Sequence, residues 1–229
     1  MTKVNKTLEP YVSVEIDRAD ARNTKKELHY KAEEFMASKD SCNVKMGKSY
    51  VVGNLKEYKI HIEDKEINLT VEIKRTTQSW RPKTGHMVFG EDESKEFNWV
   101  VPVPQGEIEL EYNYKGSETK TAGSVYHDHN WGYISMLEIF NHWYWARAEV
   151  GPYTIIASEM ISEKEFNNDN IIVFNISKDG KTVADNDPAY FRFTGKVEIK
   201  VYKSDELIEK YSSNKAVWEL MCFGDPVGK

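Results

Sequence analysis

From Glu107 to Tyr114 charged and apolar residues alternate almost without fault, with Glu107, Glu109 and Glu111 on one parity and Ile108, Leu110, Tyr112 and Tyr114 on the other. A period of two is the mark of a half-exposed β-strand, because successive side chains point to opposite faces. The same period runs through Tyr11–Asp17, Tyr58–Glu63 and Ile67–Ile73. Gly47-Lys48, Asp64-Lys65 and Lys115-Gly116-Ser117 interrupt it as hairpin turns. Two short strands are predicted within Ser41–Val52, and single strands over Trp99–Pro104, Gly123–Trp131, His142–Glu149 and Tyr153–Ile161. Shorter ones follow at Ile171–Ile176, Thr182–Ala184, Tyr190–Thr194, Val197–Tyr202 and Val217–Met221. Lys25–Met36 reads differently: Leu28, Ala32, Phe35 and Met36 fall at helical spacing, which predicts a short helix or an irregular arm. Tyr133–Asn141 is a connection with room for a helical turn, and Gln78–Glu96 is the longest irregular section, of the kind that forms lids and rims. No crossover helices separate the strands, so the pattern predicts an all-β, antiparallel barrel or sandwich.

Composition narrows the function. The chain has 229 residues, enough to bury a sizeable core, and a net charge of −6. A mildly acidic chain without a basic run is a poor match for nucleic acid or an anionic membrane surface. No apolar stretch approaches the roughly 20 residues that span a bilayer, so no membrane insertion is expected. The start, Met1-Thr2-Lys3-Val4-Asn5-Lys6, carries no apolar signal core. Cys42 and Cys222 are far apart and lack C-x-x-C spacing, which favours two reduced thiols and a cytoplasmic location over one long-range disulfide.

Between Trp99 and Met160 the simple alternation gives way to Val125-Tyr126-His127-Asp128-His129-Asn130-Trp131-Gly132 and then Asn141-His142-Trp143-Tyr144-Trp145-Ala146-Arg147-Ala148-Glu149. Acid, base and indole groups crowded among large aromatics are costly to bury without partners, so they point to a pocket. In an extended chain His127, His129 and Trp131 share one face and Tyr126, Asp128 and Asn130 the other. Trp143, Trp145, Arg147 and Glu149 lie together, opposite His142, Tyr144, Ala146 and Ala148. His127 and His129 form an H-x-H pair that could ligate a metal with Asp128, Glu138 or His142; without a third ligand at a telling spacing, hydrogen-bonded histidines are the simpler reading and no metal is expected. For Asp128 two roles stay open: a general acid favoured by an apolar setting, or a hydrogen-bond acceptor that orders its strand. Trp131, Trp143 and Trp145 suit either core packing or the stabilisation of a polyene or carbocation. Arg147 suits the closed end of a barrel better than substrate contact, and Glu138 and Glu159 read by default as solvated carboxylates. His29, His61 and His86 read as surface residues.

The succession Trp99-x-Val101-Pro102-Val103-Pro104, Gly123-x-x-Tyr126-His127-Asp128-His129-Asn130-Trp131-Gly132 and His142-Trp143-Tyr144-Trp145-x-Arg147-Ala148 resembles the hydroxyneurosporene synthase (carotenoid 1,2-hydratase) superfamily, which includes lipocalin-like proteins and Diels–Alderase-type cyclases. The resemblance covers Trp99–Ile161 and extends back to Tyr11. It implies calycin-like β-barrels around a hydrophobic cavity: a first lipocalin-like domain over residues 1–150 and a partial second β domain over 151–229. It also implies cofactor-free water addition, isomerisation or cyclisation of an isoprenoid or polyene. Asp128 would be the proton donor, His127 or His129 its partner, and Trp131, Trp143, Trp145, Arg147, Tyr126, His142 and Glu138 the substrate contacts. The alternatives are a carrier that uses the same cavity without chemistry and a structural remnant whose motif serves only to close a sheet. Members usually begin with a tryptophan-rich strand that is missing here, and the C-terminal part is short for a second barrel. Edge strands left open by an incomplete barrel invite pairing with another chain, so three readings stay open: a fragment, a shortened member, or a chain that completes its sheet in a homodimer.

Overall fold

A computed structural model describes residues 8–17, 23–185, 197–203, 206–213 and 216–222. Along the chain the strands are β1 (Tyr11–Ile16), β2 (Thr24–His29), β3 (Phe35–Ala37), β4 (Cys42–Met46), β5 (Ser49–Gly53), β6 (Glu57–Glu63), β7 (Ile67–Arg75), β8 (His86–Phe89) and β9 (Lys95–Tyr114). They continue as β10 (Ser117–Trp131), β11 (Phe140–Val150), β12 (Tyr153–Ser162), β13 (Asn170–Lys178), β14 (Lys181–Asp185), β15 (Val197–Lys203), β16 (Glu206–Ser213) and β17 (Ala216–Cys222). The only helical segments among the described residues are three single 3-10 turns, at Ala32–Glu34, Met136–Glu138 and Lys164–Phe166. The fold is all-β with antiparallel pairing, as the alternation predicts, and lipocalin-like, as the resemblance implies. Among the described residues hydrogen bonding closes neither large sheet into a ring: one runs β10-β9-β7-β6-β5-β4-β3 with β8 on β9, the other β14-β13-β12-β11-β17.

The structure divides into two compact units, one of residues 1–74 and 107–124, the other of 75–106 and 125–229. The first is a hairpin meander. Its turns fall where the sequence places them: Asp64, for example, accepts the Glu66 N–H at 2.6 Å, an Asx-type closure of the β6–β7 turn. Lys115 and Gly116 both have positive φ, 51° and 84°. That is the twist-matched geometry of a two-residue hairpin, and glycine at the second position carries it without strain. Thr24–His29 is a strand rather than part of the short helix or irregular arm predicted for Lys25–Met36. Its residues pair one-for-one with β1, from Tyr11↔His29 to Ile16↔Thr24, and Leu28 enters an aliphatic core with Val14, Ile62 and Ile67. Pairing with an apolar partner strand outweighed a weak helical spacing.

The second unit holds the predicted strands of the central and C-terminal sequence, with two exceptions and two extras. Trp99–Pro104 and Glu107–Tyr114 are parts of one continuous strand, β9. Val101 exchanges both backbone bonds with Trp80 (2.7 and 2.9 Å). Pro102 and Pro104, which have no N–H to give, therefore alternate with it and present their missing donors to the other side. Strands β8 and β16 were not predicted: β8 lies inside the Gln78–Glu96 section read as irregular and pairs with β9, from His86↔Asn98 to Phe89↔Lys95; the predicted strand at Tyr190–Thr194 lies outside the described residues. β16 pairs with β15, and Glu209 of β16 accepts from the Tyr153 hydroxyl and the Lys178 ammonium, both at 2.6 Å. The core of this unit is aromatic: Trp80, Phe89, Phe97, Trp99, Phe140 and Phe166 are buried with Val101, Ile139, Ile156, Met160 and Val173. Its rings meet edge to face, as in Phe97–Phe140 at 5.2 Å and Trp80–Trp99 at 5.4 Å, the arrangement that π-quadrupoles favour.

Candidate functional site

Within the second unit, β9, β10, β11 and β12 enclose a pocket of about 290 Å³. Strand parity explains its walls. Tyr126, Asp128 and Asn130, one face of β10, line it, and so do Phe97 and Trp99 of β9 and Trp143 and Trp145 of β11. The Gly151-Pro152 turn sets the β11–β12 register so that Trp145 faces Ser158 and Trp143 faces Met160, and both partners also line the pocket. Met136, in the 3-10 turn between β10 and β11, and Phe140 complete it.

Asp128 is the one carboxyl in this wall. Its Oδ2 accepts the indole N–H of Trp99 at 3.0 Å and the hydroxyl of Tyr126 at 3.1 Å. An indole nitrogen can only donate, so the direction of that bond is fixed by chemistry. Two donors use up the lone pairs of Oδ2, and Oδ1 has no hydrogen bond from any described residue. Burial, together with the negative charge of Asp128, raises the Tyr126 hydroxyl far above the usual phenol range and keeps it protonated as a donor. The Ser158 hydroxyl is spent on the Tyr144 carbonyl at 3.0 Å.

Arg147 does not line the pocket; it backs it. Its guanidinium carbon lies 5.5 Å from the centre of the Tyr126 ring, and its N–H groups donate to the carbonyls of Pro104 (3.3 Å) and Val125 (3.4 Å) and to the Gln105 side chain. Gln105 in turn donates to Glu149 at 2.9 Å. Tyr126 is thus held between this brace and Trp145, whose ring is 5.3 Å away.

The histidines stand elsewhere. His127 and His129 are on the opposite face of β10 from Asp128. His127 is partly buried, and burial pushes its imidazole below the usual range, an effect that the neighbouring His129 reinforces and Asp128 opposes. His129 stacks on Trp131 (5.1 Å, 18°), and Trp131 is 47% exposed and outside the pocket wall. His142 bonds the side chain of its neighbour Asn141 at 2.9 Å, and Glu138 is exposed on its 3-10 turn. Glu159 accepts from Asn170 at 2.7 Å. His29 and His86 are exposed, whereas His61 is half-buried beside Tyr50 and bonded to Thr70 at 3.0 Å. Cys42 is a free thiol. Among the described residues no group of three or more His, Cys, Asp or Glu side chains is placed to hold a metal ion.

Sequence reasoning did not assign a role to Trp99, Phe97, Phe140, Asn130, Met136, Ser158 or Met160. Part of the signal was present: Phe97 and Trp99 share a parity, and a tight turn at Gly151-Pro152 fixes what faces Trp143 and Trp145. The pairing of Trp99 with Asp128 joins residues on different strands, and no periodicity reports it. The terminal glycine of the Asn130-Trp131-Gly132 motif has a packing reason: a Cβ there would stand 2.4 Å from the Glu96 carbonyl oxygen. A larger depression of about 920 Å³ in the first unit is walled by charged side chains such as Glu57, Lys59, Glu72 and Lys74. Such groups hold their water, and they alternate with apolar ones such as Val52, Tyr58 and Ile108, so this groove offers a lipophile a more mixed wall than the aromatic pocket does.

The family model for Diels-Alderase-like proteins matches residues 46–189. No curated protein matches the sequence. Among solved structures, kievitone hydratase from Nectria haematococca is similar at 14% identity and TM-score 0.53, over 76% of this chain and 59% of that one. CghA is similar at 12% identity and TM-score 0.53, over 83% of this chain and 57% of its own. CghA with Sch210972 gives 11% identity and TM-score 0.55, over 84% and 58%. At such identities the likeness is one of fold, and the chain spans between 57% and 59% of the length of these structures.

Proposed function

The chain belongs to the Diels-Alderase-like family, and we propose that its aromatic pocket binds a hydrophobic small molecule of the isoprenoid or polyene class and acts on it by acid catalysis without a cofactor. The observation that carries this reading is the placement of Asp128: a carboxyl inside an aromatic pocket, fixed through one oxygen and open at the other. A proton on Oδ1 passes to an alkene carbon of the bound substrate. A C–H bond forms as the π bond breaks, and the cationic centre is held against the indoles of Trp143 and Trp145. Water adds to that centre and returns a proton to Asp128, so the sum is hydration; loss of a neighbouring proton to the Asp128 carboxylate gives isomerisation, and attack by an internal double bond followed by loss of a proton from the new cation to that carboxylate gives cyclisation. Tyr126 and Trp99, which touch Asp128, take the partner role that the sequence suggested for His127 or His129. Arg147 is a positioning residue behind Tyr126.

Asp128→Asn keeps the shape and removes the transferable proton. Turnover is expected to fall about 10²- to 10⁴-fold, the usual worth of a positioned acid, with ligand affinity changed by only a few-fold. Turnover that survives the substitution would remove Asp128 from the mechanism. A second reading, a carrier that binds without reacting, is favoured by one feature: both donors to Asp128 Oδ2 come from the protein itself, as they would for a purely structural acceptor. A carrier predicts a tightly retained lipophile and no product from any substrate offered.

A further inference from the structure

We propose that the pocket selects small lipophilic ammonium ions over neutral molecules of the same shape; the inference rests on the reading of this pocket as a ligand site. Its charge is one-sided. Among the described residues Asp128 is the only carboxyl in the wall, and no lysine, arginine or histidine lines it. Around that carboxylate stand Phe97, Tyr126, Phe140, Trp143 and Trp145, whose ring faces are negative and attract cations. Several aromatic rings with one acid are the chemistry by which proteins hold quaternary ammonium groups. Asp128 Oδ1, with no hydrogen bond from a described residue, is available to a positive centre. Arg147 sits behind the Tyr126 ring and spends its N–H groups on Pro104, Val125 and Gln105, so it does not fill the pocket. The same surroundings that steady a developing carbocation would hold a permanent one.

Volume sets the size. About 290 Å³ is just under the ~300–1,000 Å³ of pockets for drug-sized ligands. At ~30 Å³ for each water-sized group it takes roughly ten of them. Benzyltrimethylammonium is of that size, and neopentylbenzene is its uncharged isostere, with carbon in place of nitrogen.

The test titrates the full-length protein with each compound and follows tryptophan fluorescence, since Trp99, Trp143 and Trp145 line the site. The cation is expected to bind at least tenfold more tightly than the isostere. Asp128→Asn is expected to cut that preference at least tenfold while the isostere's affinity holds. Equal or tighter binding of neopentylbenzene would overturn the ammonium inference and leave the hydrophobic-pocket reading standing. Binding of neither compound would overturn both. A preference unchanged by Asp128→Asn would also overturn it, because the charge that carries it would lie elsewhere.

Discussion

The two units bury different things. The first closes its strands over an aliphatic cluster, Val14, Leu28, Ile62 and Ile67, and dresses its outside with ion pairs such as Lys59–Glu72, Lys48–Glu63 and Lys120–Glu111. The second buries six large aromatic side chains in one cluster. Of the ten buried polar residues among those described, it holds nine, from Thr77 and Asn98 to Asn175 and Ser177; only Ser49 belongs to the first. Buried polar groups cost free energy unless they are bonded, and hydrophobic burial alone would never place them. The aliphatic unit is what strand alternation produces by itself. The aromatic one carries extra chemistry, and its pocket is where that chemistry collects.

The contrast can be broken at several points, the strongest first. Loss of turnover in Asp128→Asn is the largest effect expected anywhere in the molecule. Next is Phe140→Ala: this side chain is fully buried at the junction of Phe89, Phe97 and Trp143, and its loss should cost about 3–5 kcal/mol in denaturant unfolding. Leu28→Ala in the aliphatic core, by the same measurement, should fall towards the lower end of ~2–5 kcal/mol. A larger cost for Leu28 than for Phe140 would reverse the comparison. Trp99→Phe keeps an aromatic ring but removes one donor to a carboxylate, a change of about 1.5–3 kcal/mol in stability. Chemical denaturation of the single variant would read it, and no loss at all would mean that the Trp99 N–H does not help to hold Asp128.

The smaller effects test electrostatics. Burial holds the His127 imidazole below its ordinary 6.5, so in the native protein it stays neutral where the unfolded chain is already protonated. The unfolded state then binds more protons, and stability present above ~6.5 is lost as pH falls beneath that value towards the native pKa. Melting temperatures compared between about pH 7.5 and 5.5 should therefore fall less for His127→Gln than for the parent protein. Lys59→Met, at the exposed pair with Glu72, should leave the unfolding midpoint where it was, because solvent and salt screen such pairs. A clear loss there would mean that the surface pairs of the first unit carry more than decoration.

Much of this architecture could be read from the chain because its information is local. The β4–β5 and β6–β7 hairpins follow from alternation and turn residues, and the sorting of Tyr126, Asp128 and Asn130 away from His127, His129 and Trp131 follows from the period of two. The failures were non-local. Thr24–His29 became a strand because β1 supplied a partner, which helical spacing in one segment cannot reveal. Trp99–Pro104 and Glu107–Tyr114 read as separate strands, yet they are continuous, with Pro102 and Pro104 at positions whose missing N–H is not needed on the Trp80 side. Which groups touch Asp128 depended on β9 lying beside β10, so Trp99 went unassigned while the adjacent histidines drew attention by proximity along the chain.

The double grip on one oxygen of Asp128 has a stereochemical outcome. With Oδ2 occupied by an indole and a phenol, a proton can leave only from Oδ1, and a double bond lying in the pocket meets that atom from one side. On the proposed chemistry, a reaction run in deuterium oxide would therefore place its label on a single prochiral face, and a substrate offered upside down would be a poor one rather than a source of the mirror-image product.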